Sequence, residues 1–114
     1  MYCLMALWQA EIEAVDNDGR TALHMAAVKS KDAVSTQLVN ANANVNAVDN
    51  NGNTPLHLAA YFGHAIVADL LLGAGANPKA ANKDGKTPAQ YAEQQGHREL
   101  AERLRQAESR VAST

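Results

Sequence analysis

Apolar residues recur four apart in three places along the chain: Val34 and Leu38, Val67 and Leu71, Leu100 and Leu104. A four-residue step keeps side chains on one helix face, so each pair predicts a helix with one apolar stripe. Ahead of each stripe, across a polar break, lies a denser run: Leu23-His24-Met25-Ala26-Ala27, Leu56-His57-Leu58-Ala59-Ala60, and Ala89-Gln90-Tyr91-Ala92. These runs predict a shorter kind of helix, which in the middle of the chain spans about residues 55 to 62. Thr21, Thr54 and Thr87 stand where an N-cap is needed, and Pro55 and Pro88 take the first helical position, where a missing N–H does no harm. Gly63 and Gly96 end the short helices, with Ser30 in place of glycine in the first copy. Gly75 closes the following helix, and Asn42 stands in for it one copy earlier.

The pattern repeats at a fixed period. Gly19, Gly52 and Gly85 are separated by 33 residues each. The dipeptides Asp18-Gly19, Asn51-Gly52 and Asp84-Gly85 predict tight hairpin turns with positive φ at both central positions. A period this short means stacked units rather than one globular core. The units run over residues 16–48, 49–81 and 82–114, preceded at 1–15 by a partial unit that supplies only its second helix. Together they make a single structural domain.

The middle copy reads Asp49-x-x-Gly52-x-Thr54-Pro55-Leu56-His57-x-Ala59-Ala60-x-x-Gly63-His64, then Leu71-Leu72-x-x-Gly75-Ala76-Asn77. On these residues the chain resembles the ankyrin-repeat family. The first copy departs from the pattern at Ala22, Ser30, Lys31 and Asn42. The third has Ala89-Gln90 for Leu-His and Glu93 for the second alanine. The resemblance covers residues 16–114 and, weakly, 6–15, where Ala10-Glu11-Ile12-Glu13-Ala14-Val15 echoes Ala43-Asn44-Val45-Asn46-Ala47-Val48. It implies a mainly α solenoid of helix-turn-helix units joined by short β-hairpin turns. It also makes His24 and His57 the family's signature histidine, whose imidazole ties neighbouring turns together.

Composition narrows the rest. Of 114 residues 46% are hydrophobic but only 4% aromatic, so alanine and leucine supply the core. The net charge of −2 gives no global attraction to nucleic acid or anionic membrane. A single cysteine, Cys3, rules out an internal disulfide framework and makes a reducing, intracellular and cytoplasmic setting the expectation. No apolar run approaches the roughly 18 residues of a membrane span. The apolar start, Met1 to Trp8, has no basic residue before it, so a partial repeat explains it better than a secretory leader does.

Catalytic chemistry is not legible. His24, His57, His64 and His97 are dealt out along a linear stack, and Cys3 has no partner at ligand spacing. Ser30, Ser35, Ser109 and Ser113 sit in no nucleophile motif, and no phosphate-binding loop occurs. The expectation is therefore a non-enzyme without catalytic residues, metal or cofactor. The two ends of the stack differ. The last helix, from His97 to about Arg110, puts Leu100 and Leu104 on one side and reads as a cap, with Glu99/Arg103 and Arg98/Glu102 spaced for i,i+4 pairing. At the other end Tyr2, Leu4, Met5, Leu7 and Trp8 lack such cover. That implies either further repeats before them or a face that packs on another molecule, with self-association as one outcome.

Function then falls to positions the fold leaves free: the turn tips and the exposed ends of the short helices, which in ankyrin-like stacks line the concave side. The candidate partner-binding residues are Arg20, Lys29, Asn50, Asn51, Asn53, Tyr61, Phe62, Lys83, Lys86 and Gln94. Tyr61 and Phe62 are two adjacent aromatics in a chain that holds few, and such residues often anchor an interface. Arg20, Lys29 and Lys31 mark one end of the strip and Lys79, Lys83 and Lys86 the other, around an uncharged middle. A partner with an apolar anchor flanked by acidic groups would complement this, the charges acting mainly on encounter rate. The function expected is a non-catalytic protein-protein interaction module. The alternative is an inhibitor that occludes an enzyme's cleft, and nucleic-acid binding is weaker still because the chain is acidic.

Overall fold

The computed structural model describes residues 15–29, 31–41 and 43–113, with side chains described as far as residue 110. Expectations for residues 1–14, including the uncovered apolar end, and for Ser30 and Asn42 lie outside it. Among the described residues six helices follow one another: α1 (Ala22–Lys29), α2 (Asp32–Asn40), α3 (Pro55–Phe62), α4 (Ala65–Gly73), α5 (Pro88–Gln94) and α6 (Arg98–Ser113). Among the described residues there is no strand. No helix there is long and apolar enough to cross a membrane.

Threonine and proline start the first helix of the later units as the sequence predicts. The Thr54 hydroxyl accepts from the His57 N–H while the Thr54 N–H donates to His57 Nδ1, and Pro55 opens α3. Thr87 and Gln90 repeat the reciprocal pair at α5, and Thr21 and His24 at α1. Each pair satisfies donors that a helix N-terminus would otherwise leave open. Gly63 then ends α3 at φ 75°, in the left-handed region that costs a residue without Cβ least.

The turns differ in detail from the sequence expectation. Gly19, Gly52 and Gly85 donate their N–H to the carbonyls of Asp16, Asp49 and Asn82. The central pairs are therefore Asn17-Asp18, Asn50-Asn51 and Lys83-Asp84, and glycine follows them with φ of 77°, 78° and 74°. The residue that organises each turn is the Asp or Asn at its start. Asp49 Oδ1 accepts from the N–H groups of Asn51 and Asn53, both at 2.9 Å, and Asp16 and Asn82 do the same in their turns. The tips then stack by backbone bonds, Asn50 N–H to Asp18 C=O at 2.9 Å and Lys83 N–H to Asn51 C=O at 3.0 Å.

The core is aliphatic and small. Leu23, Leu56, Val67, Leu71 and Leu104 are buried, among alanines that let the helices close on one another. One predicted stripe is incomplete: Val34 is 44% exposed, although Val67 and Leu100 at the same place in the next units are buried. α4 and α6 each have a described unit before them in the stack, and α2 does not. What α2 buries is Ser35 and Leu38. The last helix is 16 residues long against nine for α2 and α4, because Glu108 stands where Gly75 stops the helix one unit earlier. Two of its arginines pair across elements, and Arg103 does so instead of pairing with Glu99 along the helix as the spacing predicts. Arg103 reaches Asp69 of α4 at 2.8 Å, and Arg105 reaches Glu93 of α5.

Candidate partner-binding face

The first helices α1, α3 and α5 pack closely in succession, while the second helices α2, α4 and α6 meet one another less. The first helices and the turn tips lie together on one side of the stack, the side that the ankyrin resemblance expects to be concave. Two histidines hold this side together. Nε2–H of His24 donates to the Asn53 carbonyl at 2.8 Å, and Nε2–H of His57 donates to the Lys86 carbonyl at 2.8 Å. Each ring thus caps its own helix through Nδ1 and links to the next turn through Nε2. Burial pushes both imidazoles below their ordinary pKa of 6.5. They therefore sit neutral, with the proton on Nε2.

The structure sorts the sequence-predicted residues into three groups. Asn50, Asn51 and Lys83 lie exposed at the tips, with Lys86 half-buried beside them, and Lys29 and Gln94 are exposed at the ends of α1 and α5. Asn53 leaves the open surface, and Arg20 stays half-buried on it. Asn53 is buried: its N–H donates to Asp49, its carbonyl accepts from His24, and its Oδ1 accepts from the Asn82 amide. Arg20 is no free cation, because its Nε lies 3.6 Å from Oδ2 of Asp49, whose side chain is 1% exposed. The burial of Asn53 goes against the expectation that it presents its side chain to a partner, whereas the Arg20 side chain keeps 30% of its surface exposed. The turn's own backbone and the buried Asp49 carboxylate engage them.

Tyr61 and Phe62 form the third group, at the C-terminal end of α3, 40% and 46% exposed. Their rings meet edge to face with centroids 5.0 Å apart, and Phe62 stacks on the His64 ring at 6.1 Å. Tyr61 also meets Tyr91 edge to face at 5.6 Å. Tyr91 was not among the predicted residues. Its ring touches His57 at 5.7 Å, and its hydroxyl accepts from the Asn82 amide. Its signal in the sequence is weak: it stands where the other units have Met25 and Leu58, and only the packing of α3 on α5 brings it beside Tyr61.

This stack of capped helix pairs, laced by histidine to the next turn, has a counterpart among known proteins. A family model described as ankyrin repeats (3 copies) matches residues 2–82 and residues 30–114. The chain belongs to the ankyrin-repeat family. No curated protein matches it. Ankyrin repeats are in general protein-interaction modules. Among the described residues of this ankyrin chain no group of three or more His, Cys, Asp or Glu could hold a metal ion. A groove of about 740 Å³ lies on the side of the second helices and not beside the aromatic rings. Leu72, Ala76, Pro78 and Ala107 floor it, under the stretch of α6 that overruns the end of α4.

Proposed function

We propose that this ankyrin-repeat chain binds another protein through its concave face, with Tyr61 and Phe62 as the anchor and the tips at Asn50, Asn51 and Lys83 as the rim. One observation carries the reading. The places Tyr61 and Phe62 occupy hold Val28 and Lys29 one unit before and Gln94 and Gln95 one unit after, so the repeat does not need aromatic residues there. The other exposed large apolar side chains, Val15, Val34, Val48 and Ile66, are aliphatic, and no two of them are adjacent in the sequence. The two rings, by contrast, are adjacent and braced against Tyr91 and His64, so little side-chain entropy is left to lose on binding. Rigid, half-exposed aromatics are the usual centre of an interface, where truncation to alanine costs at least about 2 kcal/mol of affinity.

Affinity capture with the parent chain and with a Tyr61→Ala/Phe62→Ala double variant tests this. Partners held by the parent and lost by the variant are expected, at a stability cost of no more than about 1 kcal/mol because both rings are half exposed. Recovery of the same partners by a folded variant removes the aromatic pair from the site.

A further inference from the structure

We propose that Asn51 is a site of deamidation on this face, and that its two products have opposite consequences for the fold. Asn51 is the only asparagine in the chain followed by glycine, so no side chain on residue 52 shields its backbone nitrogen. The side chain is exposed, and among the described residues its amide has no hydrogen-bond partner. Neighbouring asparagines are held. The Asn50 amide donates to the Asn17 carbonyl, Asn46 Oδ1 accepts from Asn77, Asn77 Oδ1 accepts from Lys79, and Asn82 is tied to Asn53 and Tyr91.

The backbone nitrogen of Gly52 attacks Cγ of Asn51. The N–Cγ bond forms, the Cγ–Nδ2 bond breaks, and the nitrogen's proton leaves with the amide as ammonia. Water then opens the five-membered imide. Addition at Cγ gives aspartate, and addition at the main-chain carbonyl gives isoaspartate, the net change being amide plus water to acid plus ammonia. Before attack the Gly52 N–H must release the Asp49 carbonyl, which it bonds at 3.0 Å, so opening of the turn gates the reaction.

The period fixes what each product does. Aspartate already occupies this place as Asp18 and Asp84, in turns with the same backbone bonds, so the aspartate product fits and adds a carboxylate to a middle tip that carries no charge. Isoaspartate lengthens the main chain between the Asp49–Gly52 bond and the Asn51–Lys83 bond and breaks the stacking of the tips. The effect on partner binding rests on the proposed face, but the conversion does not.

Peptide mapping by mass spectrometry, after incubation of the full chain in mildly alkaline buffer with and without urea, reads both steps. In buffer, conversion at residue 51 should exceed that at any other asparagine by roughly tenfold, the ratio given by about 1.4 kcal/mol of barrier. Urea should accelerate it, and both acids should appear. An Asn51→Asp chain should melt with the parent. First conversion at another asparagine overturns the assignment. So does an intact Asn51 in the native chain once the urea-treated chain has converted. A marked fall in the melting point of Asn51→Asp overturns the claim that the turn accepts the acid.

Discussion

At the scale of single residues, His24 and His57 each keep their proton on Nε2, because Nδ1 accepts from a threonine N–H and Nε2–H points at a carbonyl. Their folded pKa values lie below the ordinary 6.5, so the unfolded chain takes up protons first as pH falls. The stability they support is thus complete above about pH 6.5 and declines below it, through the folded values. A melting point that falls between about pH 6.5 and 5, where carboxylates remain ionised, is expected. A His24→Gln/His57→Gln chain should show a flatter profile, since Gln90 already caps α5 without titrating. An unchanged slope in the double variant would show that other groups carry the dependence. Asp49 supplies a second prediction. Its Oδ2 is buried without a hydrogen bond, and Arg20 is the cation beside it. Arg20→Ala should cost about 1–3 kcal/mol in urea unfolding, since it strands a buried charge, whereas a free surface arginine would cost almost nothing.

At the scale of elements, caps and turns are decided locally. Thr54 with Pro55, Thr87 with Pro88, and Gly63 act through bonds within a few residues, so their roles are legible in the sequence. The glycines of the turns show where local reasoning stops. Gly52 and Gly85 have nearly the same φ, 78° and 74°, and share the strain a Cβ would bring, about 1–2 kcal/mol. A Cβ on Gly52 would also lie 3.0 Å from the Lys83 backbone nitrogen and 3.2 Å from Asn82 Cα, while on Gly85 it would meet nothing within 4 Å. Gly52→Ala is therefore expected to destabilise more than Gly85→Ala. Equal unfolding midpoints would mean that the next turn yields without cost. The sequence offers identical roles for the two, and only stacking separates them.

At the scale of the whole molecule, no unit buries its apolar face alone, so stability is a sum over units and the interfaces between them. Leu71 is fully buried in the middle unit. Leu71→Ala should cost about 2–5 kcal/mol and lower the protection of amides in α1 and α6 together with those in α4, as hydrogen exchange would reveal. Loss of protection confined to α4 would instead mark the units as independent. The sequence by itself determined the period, the order and approximate ends of the helices, their caps, the family, and the places where the repeat leaves residues free. All of these follow from short-range preferences repeated at fixed spacing. Only the tertiary structure decided that Asn53 turns inward, that Arg20 lies beside the buried Asp49 carboxylate, that Val34 stays exposed while Val67 is covered, that Arg103 and Arg105 reach Asp69 and Glu93, and that Tyr91 joins Tyr61. Each of these depends on what the neighbouring unit places opposite a side chain, and a one-dimensional period does not encode that distance.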